Sequence, residues 1–154
     1  MALDNLADLT RAVKMVESSG RRYDKSGKLL ESSEGALGEM QVMPGTSRDP
    51  GFGVTPAKDS SADEIARVGR DYLAKMVDRY GNTEHALVAY NWGPTNADKW
   101  VKSGANKAKL PKETRDYIAK VNQQMVGSRE AAPQVEKVTT AVVEQAPRTM
   151  DQEA

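Results

Sequence analysis

A mainly helical fold with a small hairpin or irregular lobe is what this sequence predicts, and three observations predict it. Apolar residues recur at helical spacing in two long stretches, Leu6-Leu9-Val13-Val16 and Ile65-Val68-Tyr72-Leu73-Met76-Tyr80. Between them lies a polar stretch punctuated by glycine and proline, with no lasting period of either kind. The chain has 154 residues but a single Phe, five Tyr and two Trp, so its core must be built from Leu, Val, Met and Ala, which suits helices.

Each element follows in order. The first helix runs from near Asp4 to near Ser19, with Gly20 as its stop signal. Arg21 to Ser33 is polar and irregular, and its centre, Asp24 to Leu30, reads as a turn or short hairpin. Gly35 to Thr46 is mixed, Pro44-Gly45 marks a turn, and Asp49-Pro50-Gly51-Phe52-Gly53 continues as loop. Ser61-x-x-Glu64 is a capping box that opens the long second stripe, and Gly81 caps its end. A shorter helix covers Glu84 to Tyr90 and ends at Gly93-Pro94. Thr95 can cap another that carries Trp100. Pro111 suits the first turn of the last helix, whose apolar face is Thr114, Tyr117, Ile118, Val121 and Met125. At Gly127 the composition shifts to Ala, Pro, Gln, Glu and Thr. Residues 1–126 are therefore expected to form one domain and residues 127–154 a flexible tail or partner-binding arm. The arm carries three Lys/Arg against five Asp/Glu, a charge of −2 that leaves +2 on the rest.

Composition also narrows the function. A net charge of zero gives no field for a polyanion, so nucleic-acid binding is not expected. There is no Cys, which removes disulfides and thiolate metal sites. Met1 to Asn5 has neither a basic nor an apolar leader region, and no apolar run could span a membrane. The single histidine, His85, reads as surface or structural, not as a ligand.

Glu17 is the residue with chemical promise. It lies four residues after Val13 and next to Val16, at the edge of the first apolar stripe. It also sits in the last turn, where the helix dipole presents negative charge. Desolvation and dipole both disfavour a carboxylate and would raise its pKa, as a general acid at neutral pH requires. By position alone the simpler reading is an ordinary glutamate on a solvated face.

The surroundings of Glu17 change that balance. Glu17-Ser18 is followed by Ser33-x-Gly35-Ala36-x-Gly38-x-Met40-Gln41-Val42-Met43-Pro44-x-Thr46. Then come Ala86-Leu87-Val88-Ala89-Tyr90-Asn91-x-Gly93-Pro94 and Pro111-x-Glu113-Thr114-x-x-Tyr117-Ile118-x-x-Val121. This series resembles the soluble lytic transglycosylase (SLT) family, a branch of the lysozyme superfamily, from near Leu6 to near Met125. The stretch between Glu17 and Ser33 is longer than the family's usual link.

The resemblance implies a lysozyme-like fold with the lobe beside a glycan cleft, and an SLT-type catalytic domain over residues 1–126. Glu17 matches the catalytic acid/base. Ser33 matches the serine that opens the Gly-Ala-x-Gly segment, Met40 and Gln41 match cleft-lining residues, Tyr90 and Asn91 the pair at the cleavage site, and Glu113 and Tyr117 polar residues of the last helix. Amide and hydroxyl groups of this kind pair with ring substituents of a sugar. Taken singly, Met40 and Met43 could be plain core, and Tyr117 could be core with one satisfied hydroxyl. The implied substrate is the peptidoglycan glycan strand, cut at the MurNAc–GlcNAc bond to 1,6-anhydroMurNAc ends with no metal or organic cofactor. The absent leader points to a virion-carried enzyme, made in the host cytoplasm and acting on the host wall, with the tail as a link to other virion proteins. The alternatives are a goose-type muramidase that uses water, or a weakly active structural or glycan-binding virion protein.

Overall fold

The computed structural model describes residues 3–131. Within them run six α-helices, α1 Leu3–Ser18, α2 Pro44–Arg48, α3 Ala62–Tyr80, α4 Thr83–Trp92, α5 Pro94–Lys102 and α6 Lys112–Ala131, with a 3-10 turn at Lys107–Lys109. The mainly helical class is the one observed. Among the described residues strand pairing is confined to isolated antiparallel bridges, Tyr23 with Leu29, Glu31 with Leu37 and Leu37 with Val42. The chain divides into two compact units between Asn122 and Gln123, inside α6 and ahead of the composition shift at Gly127. Of the expected tail, residues 132–154 lie outside the described residues.

The first unit is organised around α4. Ala86, Leu87, Val88 and Ala89 are buried in succession, so the middle of this helix is enclosed on all sides rather than laid on a surface. Burying a side chain such as Leu87 or Val88 contributes roughly 1.5–3 kcal/mol. α3 turns Ile65, Val68, Leu73 and Met76 inward, α1 gives Leu9, Ala12 and Val13, and α6 gives Ile118 and Val121. Of the residues that the sequence periodicity selects, Leu9, Val13, Ile65, Val68, Leu73, Met76, Tyr117, Ile118 and Val121 are in the core, while Leu6, Val16, Tyr72, Tyr80 and Met125 are only partly covered.

Local rules set most helix ends. Ser61 accepts a hydrogen bond from the Glu64 amide at 3.2 Å, but the Glu64 carboxylate reaches the Lys58 amide and Arg67, so the capping box is only half formed. Gly81 takes a left-handed conformation after α3, as expected. Pro44-Gly45 does not make a simple turn; Pro44 occupies the first position of α2, where its fixed φ and missing N–H cost nothing. Likewise Gly93, not Thr95, caps α5, and Pro94 opens it. Pro111 sits just before α6, offering its carbonyl to the Arg115 amide at 3.0 Å.

Residues 21–36 form the small lobe. None of them is buried. The turn expected near Gly27 is present. Asp24 accepts from the Ser26 amide at 2.8 Å, the Ser26 hydroxyl at 2.6 Å and the Lys28 amide at 3.1 Å. The lobe is tied down by charge: Arg22 bridges the Glu39 carboxylate at 3.0 Å and Asp63 of α3 at 2.6 Å, with Lys14 of α1 3.8 Å from the same Glu39 oxygen.

The Met40–Val42 segment lies directly on α3 at Gly69. A Cβ there would stand 2.7 Å from Met40 Cβ and 2.9 Å from Val42 Cγ2. Gly69→Ala should therefore lower the melting temperature, by about 1–3 kcal/mol of overpacking strain, despite alanine's better helix propensity. Gly45→Ala, with nothing within 4 Å of the added carbon, should leave it unchanged or raise it. Thermal melts of the two variants check this contrast.

Candidate active site

Glu17 is the penultimate residue of α1. The chain leaves that helix through two left-handed residues, Ser19 (φ 58°) and Gly20 (φ 77°), whose amides still bond to the Met15 and Lys14 carbonyls. The Glu17 carboxyl faces a pocket of about 450 Å³, walled by Val16, by Asn91 of α4 and by a row on α6 comprising Lys112, Glu113, Asp116, Tyr117 and Lys120. Burial pushes its pKa from 4.5 up to about 7. The Glu113 charge adds to the rise, while the Tyr117 hydroxyl favours the carboxylate and opposes it. That hydroxyl is buried and stands beside Glu17, close enough to act on its carboxyl but without a hydrogen bond of regular geometry. Tyr117 therefore combines both readings, with its ring in the core and its hydroxyl turned to the carboxyl.

Tyr90 and Asn91 occupy the last turn of α4. The Tyr90 hydroxyl donates to the Met40 carbonyl at 2.9 Å, and its burial pushes the phenol pKa far up, so it stays a neutral donor. Asn91 Oδ1 accepts from the Thr114 hydroxyl at 2.9 Å, which leaves its amide N–H groups for a ligand. Asn91 also lines a second hollow of about 320 Å³, together with Gln41, Met43, Tyr72, Tyr90 and Trp92. Gln41 adopts a left-handed φ of 53° and donates from Nε2 to the Gly38 carbonyl at 2.9 Å, leaving Oε1 as an acceptor. Ser18, the neighbour of Glu17, is buried and donates to the Glu39 carbonyl at 2.9 Å, joining the end of α1 to the Gly38–Gln41 turn.

The structure brings Glu17, Asn91, Glu113 and Tyr117 to one pocket, and Gln41, Tyr90 and Asn91 to the next. Two residues of the sequence reading stand elsewhere. Ser33 is exposed in the lobe, and the serine that organises the Gly35-Ala36 segment is Ser32, whose Oγ accepts from the Glu34 and Ala36 amides. Met40 is wholly buried against Gly69, and only its carbonyl serves the site; Met43, 47% exposed, is the methionine that lines the hollow. Sequence reasoning did not single out Tyr72, Trp92, Lys112 or Lys120 as site residues. Tyr72 was visible only as one member of an apolar stripe. Among the described residues no cluster of His, Cys, Asp or Glu could hold a metal ion, and no helix is long and apolar enough to cross a membrane.

A family model described as the transglycosylase SLT domain matches residues 4–112, which include Glu17, Gln41, Tyr90 and Asn91. The chain belongs to the transglycosylase SLT domain family. The transglycosylase of Enterobacteria phage PRD1 is 35% identical over 104 residues, covering 68% of this chain and 36% of that protein. The soluble lytic murein transglycosylase of Escherichia coli (strain K12) is 29% identical over 60% of this chain and 17% of its own length. The SLT chain described here thus spans only a minor part of the length of either relative.

Because the folded protein holds the Glu17 proton more tightly than the unfolded chain does, this group's stabilising contribution is complete below about pH 4.5. It is lost as pH rises through about 7. Glu17→Gln keeps the neutral form at every pH. Its melting temperature should match the parent near pH 4 and exceed it near pH 9, by the equivalent of about 3 kcal/mol. Melts across that range test the assignment; parallel curves would mean that Glu17 is not buried against its charge.

Proposed function

We propose that this chain is a peptidoglycan lytic transglycosylase with Glu17 as its single general acid/base. The observation that carries the reading is the Glu17 carboxyl, held near pKa 7 in a pocket whose other walls offer amide, hydroxyl and ammonium groups. At neutral pH such a group is available in both protonation states, as a residue that must give a proton and then take one back requires. In the first step Glu17 protonates the glycosidic oxygen as the bond to MurNAc C1 breaks, with the neighbouring acetamido group assisting at C1. In the second, the C6 hydroxyl closes on C1 and gives its proton to Glu17. The products are a GlcNAc 4-hydroxyl and a 1,6-anhydroMurNAc end, no water is consumed, and the acid is regenerated. Asn91 amide N–H groups, shared by the two hollows, and Gln41 Oε1, in the second, would pair with sugar substituents.

Ring closure has an entropic advantage, because the C6 hydroxyl is already tethered to the reacting sugar. Hydrolysis would instead need a base for water, usually a second carboxylate. Glu113 and Asp116 are both exposed on the same pocket, and because Asp116 is paired with Lys112 at 2.7 Å, Glu113 is the readier of the two to serve. Digests of sacculi should contain muropeptides about 18 Da lighter than hydrolytic products, and these should resist borohydride reduction. Fully reducible ends would replace the transglycosylase reading with the hydrolytic one.

Glu113→Gln separates the two readings by kinetics. In a transglycosylase it removes a charge that raises the Glu17 pKa, so the alkaline limb of the pH–rate profile moves to lower pH while the rate at its optimum changes little. In a hydrolase it removes the base, and the rate falls on the order of 10²-fold or more at every pH.

The phage relative supports a virion-borne role, in which the enzyme opens the wall locally during genome delivery and residues beyond the catalytic unit link it to other particle proteins. Wall-lytic activity retained by washed, intact particles is the measurement for that role; its absence there would count against it.

A further inference from the structure

Residues 51–53 form an unusual turn. Gly51, Phe52 and Gly53 have φ of 71°, 55° and 80°, three left-handed residues in a row. Glycine takes that conformation freely, but for a bulky aromatic it is strained by roughly 1–3 kcal/mol. Phe52 is the only Phe of the chain, and it is 40% exposed. The surroundings enforce the strain. The Val54 amide bonds back to the Gly51 carbonyl at 2.9 Å, and the Val54 side chain is buried. Arg67, itself fixed by Glu64 and Asp71, holds the Thr55 and Pro56 carbonyls at 3.0 Å each. The ring is steadied by an edge-to-face contact with Tyr72, 5.9 Å between centroids, and by the Arg79 guanidinium 5.4 Å from its centroid. The strain offsets much of what the ring's partial burial and its two contacts contribute to folding, and asparagine would fit this backbone at lower cost.

The position of the ring supplies the reason. Tyr72 lines the hollow that also holds Gln41, Met43 and Asn91, and its own ring lies 6.1 Å from that of Tyr90. Phe52, Tyr72 and Tyr90 therefore form a row of rings that ends beside Asn91, the residue shared with the Glu17 pocket. A pyranose presents C–H groups on its faces and hydroxyls on its rim, and aromatic rings flanked by polar groups match both. We propose that Phe52, with Tyr72, forms a distal subsite for the glycan strand, two ring-to-ring steps beyond Tyr90, which is reached only by strands longer than the sugar pair at Glu17. This rests on the reading of the chain as a peptidoglycan enzyme.

The test uses the Glu17→Gln protein, which binds without cutting, and peptidoglycan glycan strands of one or of four disaccharide units, with affinity measured by calorimetry. Adding Phe52→Asn should weaken the four-unit strand roughly tenfold, leave the one-unit ligand unchanged, and keep or raise the melting temperature. Equal weakening of both lengths with a lower melting temperature would mean that the ring merely props Tyr72 and would overturn the subsite. Unchanged affinity at both lengths would overturn it too and return the exposed ring to a protein partner. If the Glu17→Gln protein with Phe52 intact binds neither strand, the subsite falls together with the glycan reading, an outcome distinct from the other two.

Discussion

Helix α3 and the Met40–Val42 segment touch because residue 69 has no side chain, and the rest of the cleft is referenced to that contact. Once Met40 is fixed, its carbonyl receives the Tyr90 hydroxyl and so sets the end of α4. The preceding carbonyl, that of Glu39, receives Ser18 and so sets the end of α1. The residue that follows, Gln41, is turned outward by its left-handed backbone. Three consecutive residues thus register three parts of the site, and the side chain that anchors them never meets solvent. A buried methionine inside a motif rich in polar residues is explained as a datum for geometry rather than as a ligand.

The chemistry at Glu17 is a balance of opposed effects. Burial disfavours the carboxylate, and the Glu113 charge presses in the same direction; the Tyr117 hydroxyl resists. With burial alone the proton would be harder to release, and with a fully formed hydrogen bond from Tyr117 it would be harder to retain. Leaving that hydroxyl without regular hydrogen-bond geometry costs some stability, in exchange for a carboxyl that can both give and accept a proton near neutrality.

How much of this the sequence displays depends on range. α1, α3 and their glycine stops were legible because amphipathic period and left-handed caps are local properties. The family motif pointed to Glu17, Gln41, Tyr90, Asn91, Glu113 and Tyr117, which the fold gathers around two adjoining hollows. α4 showed little amphipathic signal because its middle, Ala86 to Ala89, is enclosed on all sides, so its length had to be read from breakers. Pro44-Gly45 and Gly93-Pro94 read as turns or stops, yet each opens a helix, since proline at a first helical position and proline at a break look alike in one dimension. That Met43 stands where Met40 was expected, and Ser32 where Ser33 was, has another cause. Whether a side chain points in or out of an irregular segment is decided by tertiary contact, here Gly69, and by turn hydrogen bonds, not by spacing.

The lobe at residues 21–36 has no buried residue and is fastened by Arg22 between Glu39 and Asp63. A latch made of charge differs from one made of oil. Parting it exposes little apolar surface, and water and salt compensate much of what is lost at its exposed Asp63 end. The inner contact, on the largely buried Glu39 carboxylate, is dearer to break and keeps the lobe's root in place. The lobe is therefore held more firmly at its root than at its rim: its outer edge can yield at little cost, while the bond from Ser18 to the Glu39 carbonyl keeps the end of α1 in place.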